Sequence, residues 1–96
     1  MAGNRITVVI LTGTPGAEGT DLPMKSWSEM CNGEYIHISH HPTRVVSQQQ
    51  DVKRDRPYKI MHSGPNANGG RFMRELGDGI TIVGAVEQAL ALAKNL

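Results

Sequence analysis

Four histidines and a cluster of basic side chains are the groups in this chain best suited to chemistry. His37, His40 and His41 fall within five residues, and His62 follows at a distance. Imidazoles that converge can bind zinc, with Cys31 or His62 completing four ligands. The spacing Cys31-x5-His37-x2-His40-His41 fits no finger or protease pattern, and no His-Glu-x-x-His helix is present. His37, His40 and His41 are therefore the weaker metal candidates, polar turn histidines are the ordinary alternative, and no cofactor is expected. His37 and His62 could instead form an acid–base pair, with Lys59 or Arg44 stabilising an anionic transition state, as in a small metal-independent hydrolase. That chemistry requires two neighbouring strands with both imidazoles on one face.

The basic groups lie unevenly. Residues 44–74 hold Arg44, Lys53, Arg54, Arg56, Lys59, Arg71 and Arg74 against Asp51 and Asp55, a net +5, while residues 1–43 and 75–96 each carry −2. A basic middle is thus hidden in a chain of net charge +1. Clustered Lys and Arg attract anionic partners and raise association rates. Tyr58 and Phe72 lie within the segment and would stack on bases if exposed. The ordinary alternative is a solvated strand and loop face. No RNP-like aromatic pattern and no Cys/His finger spacing accompanies the charges.

The loop Gly13-Thr14-Pro15-Gly16-Ala17-Glu18-Gly19-Thr20 follows an apolar run, which suits a phosphate cradle of backbone N–H groups. It lacks Gly-Lys-Ser/Thr and the dinucleotide spacing, so a surface loop is the better reading. Cys31, near the end of a predicted helix, is a poor nucleophile and is expected to pack as a small apolar residue.

The elements that must position these groups are few. A chain of 96 residues is one domain, residues 1–96. Leu, Ile, Val and Phe total 21, so the core is thin and mostly aliphatic. Ile6 to Leu11 is β-branched and apolar on both parities, the pattern of a strand covered on both faces. A short helix is predicted from about Leu22 to Cys31, capped by Thr20 or Asp21 and stopped at Asn32-Gly33. Trp27 and Met30, three apart on it, are expected in the core. Glu34 to Ser39 alternates, with Ile36 and Ile38 on one face and His37 on the other. His41-Pro42 reads as a turn that returns Thr43 to Gln48 as a partner strand, and Gln49 to Arg56 as a surface loop. Pro57 to Ser63 and Arg71 to Leu76 are further strands around the Asn68-Gly69 turn, and Gly77-Asp78-Gly79 makes the next turn.

The clearest element is a helix from Ile82 to Asn95, capped by Thr81, with one apolar half that includes Leu90. The expected order is β-α-β-β-β-β-α, and the fold class is α+β: a single-layer antiparallel or mixed sheet of about four or five strands packed by a C-terminal amphipathic helix.

With one Cys, no intrachain disulfide is possible, and the apolar run of six residues is too short to cross a bilayer. A cytoplasmic protein without membrane contact is the expectation. The functional expectation is a non-catalytic binding module, an adaptor or inhibitor of nucleic-acid-handling machinery, of the size common among accessory proteins of phages and other mobile elements. It would use the basic segment against a protein or nucleoprotein partner. Direct DNA or RNA binding by the same residues and the His37/His62 hydrolase are the rival readings. A thin core also leaves room for homodimerisation.

Overall fold

The computed structural model describes residues 6–47 and 50–96, with the side chains of 45, 47, 50 and 51 also outside the description. The described residues form a five-stranded sheet, a separate two-stranded sheet and one C-terminal α-helix. This is the expected α+β class.

Strand β1 (Thr7–Leu11) runs parallel to the two-residue edge strand β2 (Met24–Lys25) on one side and to β3 (Tyr35–His40) on the other. Val8, Val9 and Ile10 are all buried, as an apolar run without alternation requires. β3 pairs antiparallel with β6 (Tyr58–Pro65), and β6 pairs antiparallel with β7 (Arg71–Gly79), so the order is β2-β1-β3-β6-β7. The turn between β6 and β7 is built as its residues predict. Gly69 takes φ +85°, and the Asn66 side-chain oxygen accepts from the Asn68 and Gly70 N–H groups.

Helix α1 (Ile82–Ala93) covers one face of the sheet. Thr81 caps it, its Oγ1 accepting from Gly84 N–H at 3.0 Å. The core beneath it comprises Val8, Ile10, Ala17, Ile36, Ile38 and Ile60 from the sheet side and Ala85 and Ala89 from the helix. The two alanines let the helix axis come close. Residues within about 60° of Ala89 around the helix, namely Ile82, Ala85, Val86, Leu92 and Ala93, are the ones that pack. Leu90 lies about 100° from Ala89 and is 42% exposed, so the expectation that it is core is corrected.

The close approach explains two glycines that the sequence suggests as a turn. β7 runs straight through Gly77-Asp78-Gly79. A Cβ on Gly77 would stand 2.5 Å from Gln88 Nε2, and one on Gly79 would stand 3.0 Å from the backbone N of Ala85. These glycines admit the helix rather than reverse the chain. Gly79→Ala is expected to lift the N-terminal turn of α1 and cost about 1–3 kcal/mol, read as a lower urea midpoint at unchanged slope.

The predicted helix over Leu22 to Cys31 is absent. Its start signal is real but displaced. Ser26 N–H donates to Glu29 Oε1 at 2.8 Å and Glu29 N–H donates to Ser26 Oγ at 3.3 Å, a reciprocal capping box. One helical turn follows, with Met30 N–H bonded to the Ser26 carbonyl, and Asn32-Gly33 ends it at once. Residues 23–25 instead pair with β1, and among the described residues before them the helical geometry is a 3-10 turn, Ala17–Gly19.

The region after β3 also departs from expectation. His41-Pro42 does not return the chain. The chain continues outward as β4 (Thr43–Ser47) and returns as β5 (Gln50–Lys53), so part of the expected loop is a strand. Gln48 and Gln49 lie outside the described residues. His41 N–H bonds to the Pro57 carbonyl and Arg54 N–H to the Pro42 carbonyl, which ties the β4–β5 arm to the end of the β3–β6 ladder. Two residues separate the paired His40 and Thr43, while four separate their partners Tyr58 and Lys53. The surplus residues act as a bulge and re-aim the arm. The molecule is correspondingly elongated, 49 × 33 × 23 Å.

Candidate functional site

The basic segment does not form one surface. Arg44 and Lys53 are exposed on the arm, and Arg54 beside them donates from Nε to the Thr43 carbonyl at 3.1 Å. Arg56 pairs with Asp78 at 2.9 Å and Lys59 with Glu75 at 3.6 Å. Such exposed pairs contribute well under 1 kcal/mol each but consume the charge locally. Arg71 braces the helical turn, donating from Nη1 to the Cys31 carbonyl at 2.9 Å and from Nη2 to the Gly33 carbonyl at 2.8 Å. It thereby satisfies carbonyls that the aborted helix leaves open. Arg74 lies on His62.

Tyr58 and Phe72 are half-buried. Tyr58 packs against the core and the His40 ring, and Phe72 stands edge-on to His62 with ring centroids 4.9 Å apart.

The histidines divide between the two faces of the sheet. β3 and β6 are neighbours, but the register sets His37 opposite Met61 and His62 opposite Ile36. Residues paired across a ladder share a face, so His62 belongs to the face of α1 and His37 to the other. The acid–base pair of His37 and His62 is not assembled. His62 has its own network. A guanidinium only donates, so His62 Nδ1 accepts from Arg74 Nε at 3.3 Å. The proton then sits on Nε2, which donates to Glu34 Oε2 at 2.7 Å. Both ring nitrogens are occupied by this Glu34–His62–Arg74 chain.

His40 stacks obliquely on Tyr58, whereas His41 Nε2 shares a hydrogen bond with Ser39 Oγ at 2.9 Å. Burial, and then the nearby Lys59 and Arg54 charges, hold the His41 pKa below its ordinary value. Among the described residues no three His, Cys, Asp or Glu side chains converge, so His37, His40 and His41 are not brought together as ligands.

His37 is the residue whose setting the sequence did not reveal. It is 1% exposed, and among the described residues neither ring nitrogen meets a hydrogen-bond partner. Trp27 stands over it edge-on, ring centroids 4.9 Å apart. Burial, aided by the charge of His41, holds its pKa down to about 4. Alternation along β3 places it opposite Ile36 and Ile38, but nothing in the sequence says what covers that face. The cover is the turn carrying Trp27 and Met30. Met30 is buried as expected, while Trp27 is 52% exposed, a correction.

Beside Trp27 a groove of about 250 Å³ opens between the turn and the start of β7, lined by Met30, Cys31, Ser63, Arg71 and Met73 among others. Cys31 is exposed rather than packed in the interior. The Gly13–Thr20 loop folds up locally, with the Thr14 N–H bonded to the Leu11 carbonyl at the end of β1, the N–H groups of Ala17, Gly19 and Thr20 bonded to carbonyls within the loop, and Ala17 in the core. Those donors do not form a cradle. Among the described residues no helix is long and apolar enough to cross a membrane. No protein-family model, no curated protein and no solved structure matches the chain.

Proposed function

We propose that the protein is a non-catalytic binding module that offers the β4–β5 arm to an acidic protein surface, as an adaptor or inhibitor of nucleic-acid-handling machinery. The observation that carries this reading is the arm itself. It extends from the sheet as a separate two-stranded ladder and carries Arg44, Lys53 and Arg54. Arg44 pairs with Val52, so these two share one face of the ladder, and Val46 sits close by at the irregularity in register between Val45 and Ser47. Val46 and Val52 are both exposed. A surface that sets a cation beside aliphatic side chains suits a protein surface with carboxylates around an apolar patch. Phosphate backbones reward charge alone, and single strands reward stacking, for which the arm has no aromatic side chain.

The test is capture of partners from the native host with wild-type protein and with Arg44→Glu, Lys53→Glu and Arg54→Glu combined. The triple variant should keep its circular dichroism spectrum and lose the wild-type partners, with roughly ten- to hundredfold weaker binding to any that is purified. An unchanged partner set would overturn the assignment to the arm. Steeply salt-dependent binding to bare DNA or RNA would replace the protein partner with nucleic acid.

A further inference from the structure

β7 is the open edge of the five-stranded sheet, nine residues long and bonded to β6 alone. Alternate residues of an edge strand turn their N–H and C=O groups away from the sheet, and such a row is a template for another strand. Natural edges are usually blunted, and half of this one is. Toward its C-terminal end Glu75 and Asp78 are matched by Lys59 and Arg56, and a register shift falls between Glu75 and Gly77. The N-terminal half differs. Arg71 spends its hydrogen bonds on neutral carbonyls and the Ser63 hydroxyl, and Arg74 meets an imidazole. Two cations that contact no carboxylate among the described residues therefore flank Met73 along the strand, Arg71 on its face and Arg74 on the α1 face with His62, and Met73 is 54% exposed. Arg71 and Met73 share the face on which the groove beside Trp27 opens.

We propose that the N-terminal half of β7 and the groove beside it bind an extended acidic peptide as a sixth strand, with one apolar side chain seated between Trp27 and Met73. The main chain of the peptide takes up the free N–H and C=O groups of β7. Its side chains alternate between the two faces: on the groove face the apolar one enters the groove and a carboxylate two residues away meets Arg71, and on the α1 face a carboxylate beside the apolar residue meets Arg74. Strand addition of this kind draws affinity from the main chain and specificity from the pocket for alternate residues. The site is separate from the arm, and it needs no residue of the arm.

The probe is a capped nine-residue peptide with leucine at its centre, two successive glutamates on each side of it, so that both faces carry carboxylates, and valines at both ends. Trp27 is the chain's one tryptophan and reports on the groove directly. Titration should shift its emission to the blue with saturation and slow amide exchange along residues 71–75. Two versions of the peptide, N-methylated on one or the other alternate set of amides, should differ by tenfold or more in affinity, because only one set faces β7. Met73→Glu, at an exposed position, should weaken binding at least tenfold, and a lysine-for-glutamate peptide should bind at least tenfold more weakly than the acidic one. The triple arm variant should bind the peptide like wild type. The proposal is overturned by no spectral change at millimolar peptide, by binding that leaves β7 exchange unaltered, or by equal affinity of the two methylated versions. Concentration-dependent dimers that protect β7 without peptide would overturn it too, since the edge would then belong to a second copy.

Discussion

Ile38→Ala is expected to cost about 3–4 kcal/mol, the largest effect of any single apolar truncation in this chain. Ile38 is fully buried on β3, the middle strand of five, and it faces Ile10 of β1 and Ile60 of β6 beneath α1. Removing its branch leaves a cavity with rigid strands on both sides, which is the setting in which neighbours relax least. The core has little in reserve. Among the described residues ten apolar side chains are buried and three of them are alanine, which leaves seven larger ones. At roughly 4–8 °C per kcal/mol, thermal unfolding should fall by about 15–25 °C. Leu90→Ala is the internal comparison. At 42% exposure it should cost less than about 1 kcal/mol. Urea unfolding of both variants decides the matter: similar losses would mean that α1 buries a different face from the one centred on Ala89.

What could be read in the sequence follows from which signals are local. The unalternating run of β1, the alternation of β3, the Asn68-Gly69 turn and the Thr81 cap each depend on a few adjacent residues, and each appears where the residues place it. The helix over Leu22 to Cys31 fails for a reason that is also local but finely balanced. The Ser26–Glu29 capping box starts a turn, and Asn32-Gly33 leaves no length for propagation, which nucleation requires. The strand β4 is legible, but its place on a separate arm is not, because Pro42 looks like a reversal, whereas its carbonyl and fixed φ fit an extended chain paired with Arg54.

The candidate site was less legible because it depends on register. Counting charge along the chain separates a basic middle from acidic flanks. The β6–β7 ladder folds one onto the other, so Asp78 and Glu75, tallied in the flank, neutralise Arg56 and Lys59. Parity likewise decides whether His37 and His62 meet, and a shift of one residue in the β3–β6 register would have changed the answer. The groove beside Trp27 depends on a turn folding back over the sheet, which no periodicity encodes.

Lowering the pH from 7 to 4 is expected to remove roughly 2–3 kcal/mol of stability through His37 alone. Burial holds the folded-state pKa down to about 4 against an ordinary value of 6.5. Between those values the unfolded chain binds a proton that the folded chain refuses, so stability rises with pH through the window. It is therefore complete above about pH 6.5, declines as the pH falls toward 4, and loses nothing more from this residue below that. The cause is physical rather than incidental: an imidazolium at this position would be desolvated under Trp27, near the like charge of His41, with no carboxylate bonded to it. His37→Leu removes both nitrogens that lack partners and keeps an apolar body against Trp27. It should be neutral or stabilising at pH 7 and should flatten the acid side of the profile. Carboxylates also titrate in this range, so the informative quantity is the difference between wild type and variant at each pH. That difference should grow steadily from pH 6.5 to 4. An imidazole resonance of His37 that titrates near 6.5, or parallel stability profiles for the two proteins, would show that the ring is solvated in the folded state and that Trp27 does not seal this face of the sheet.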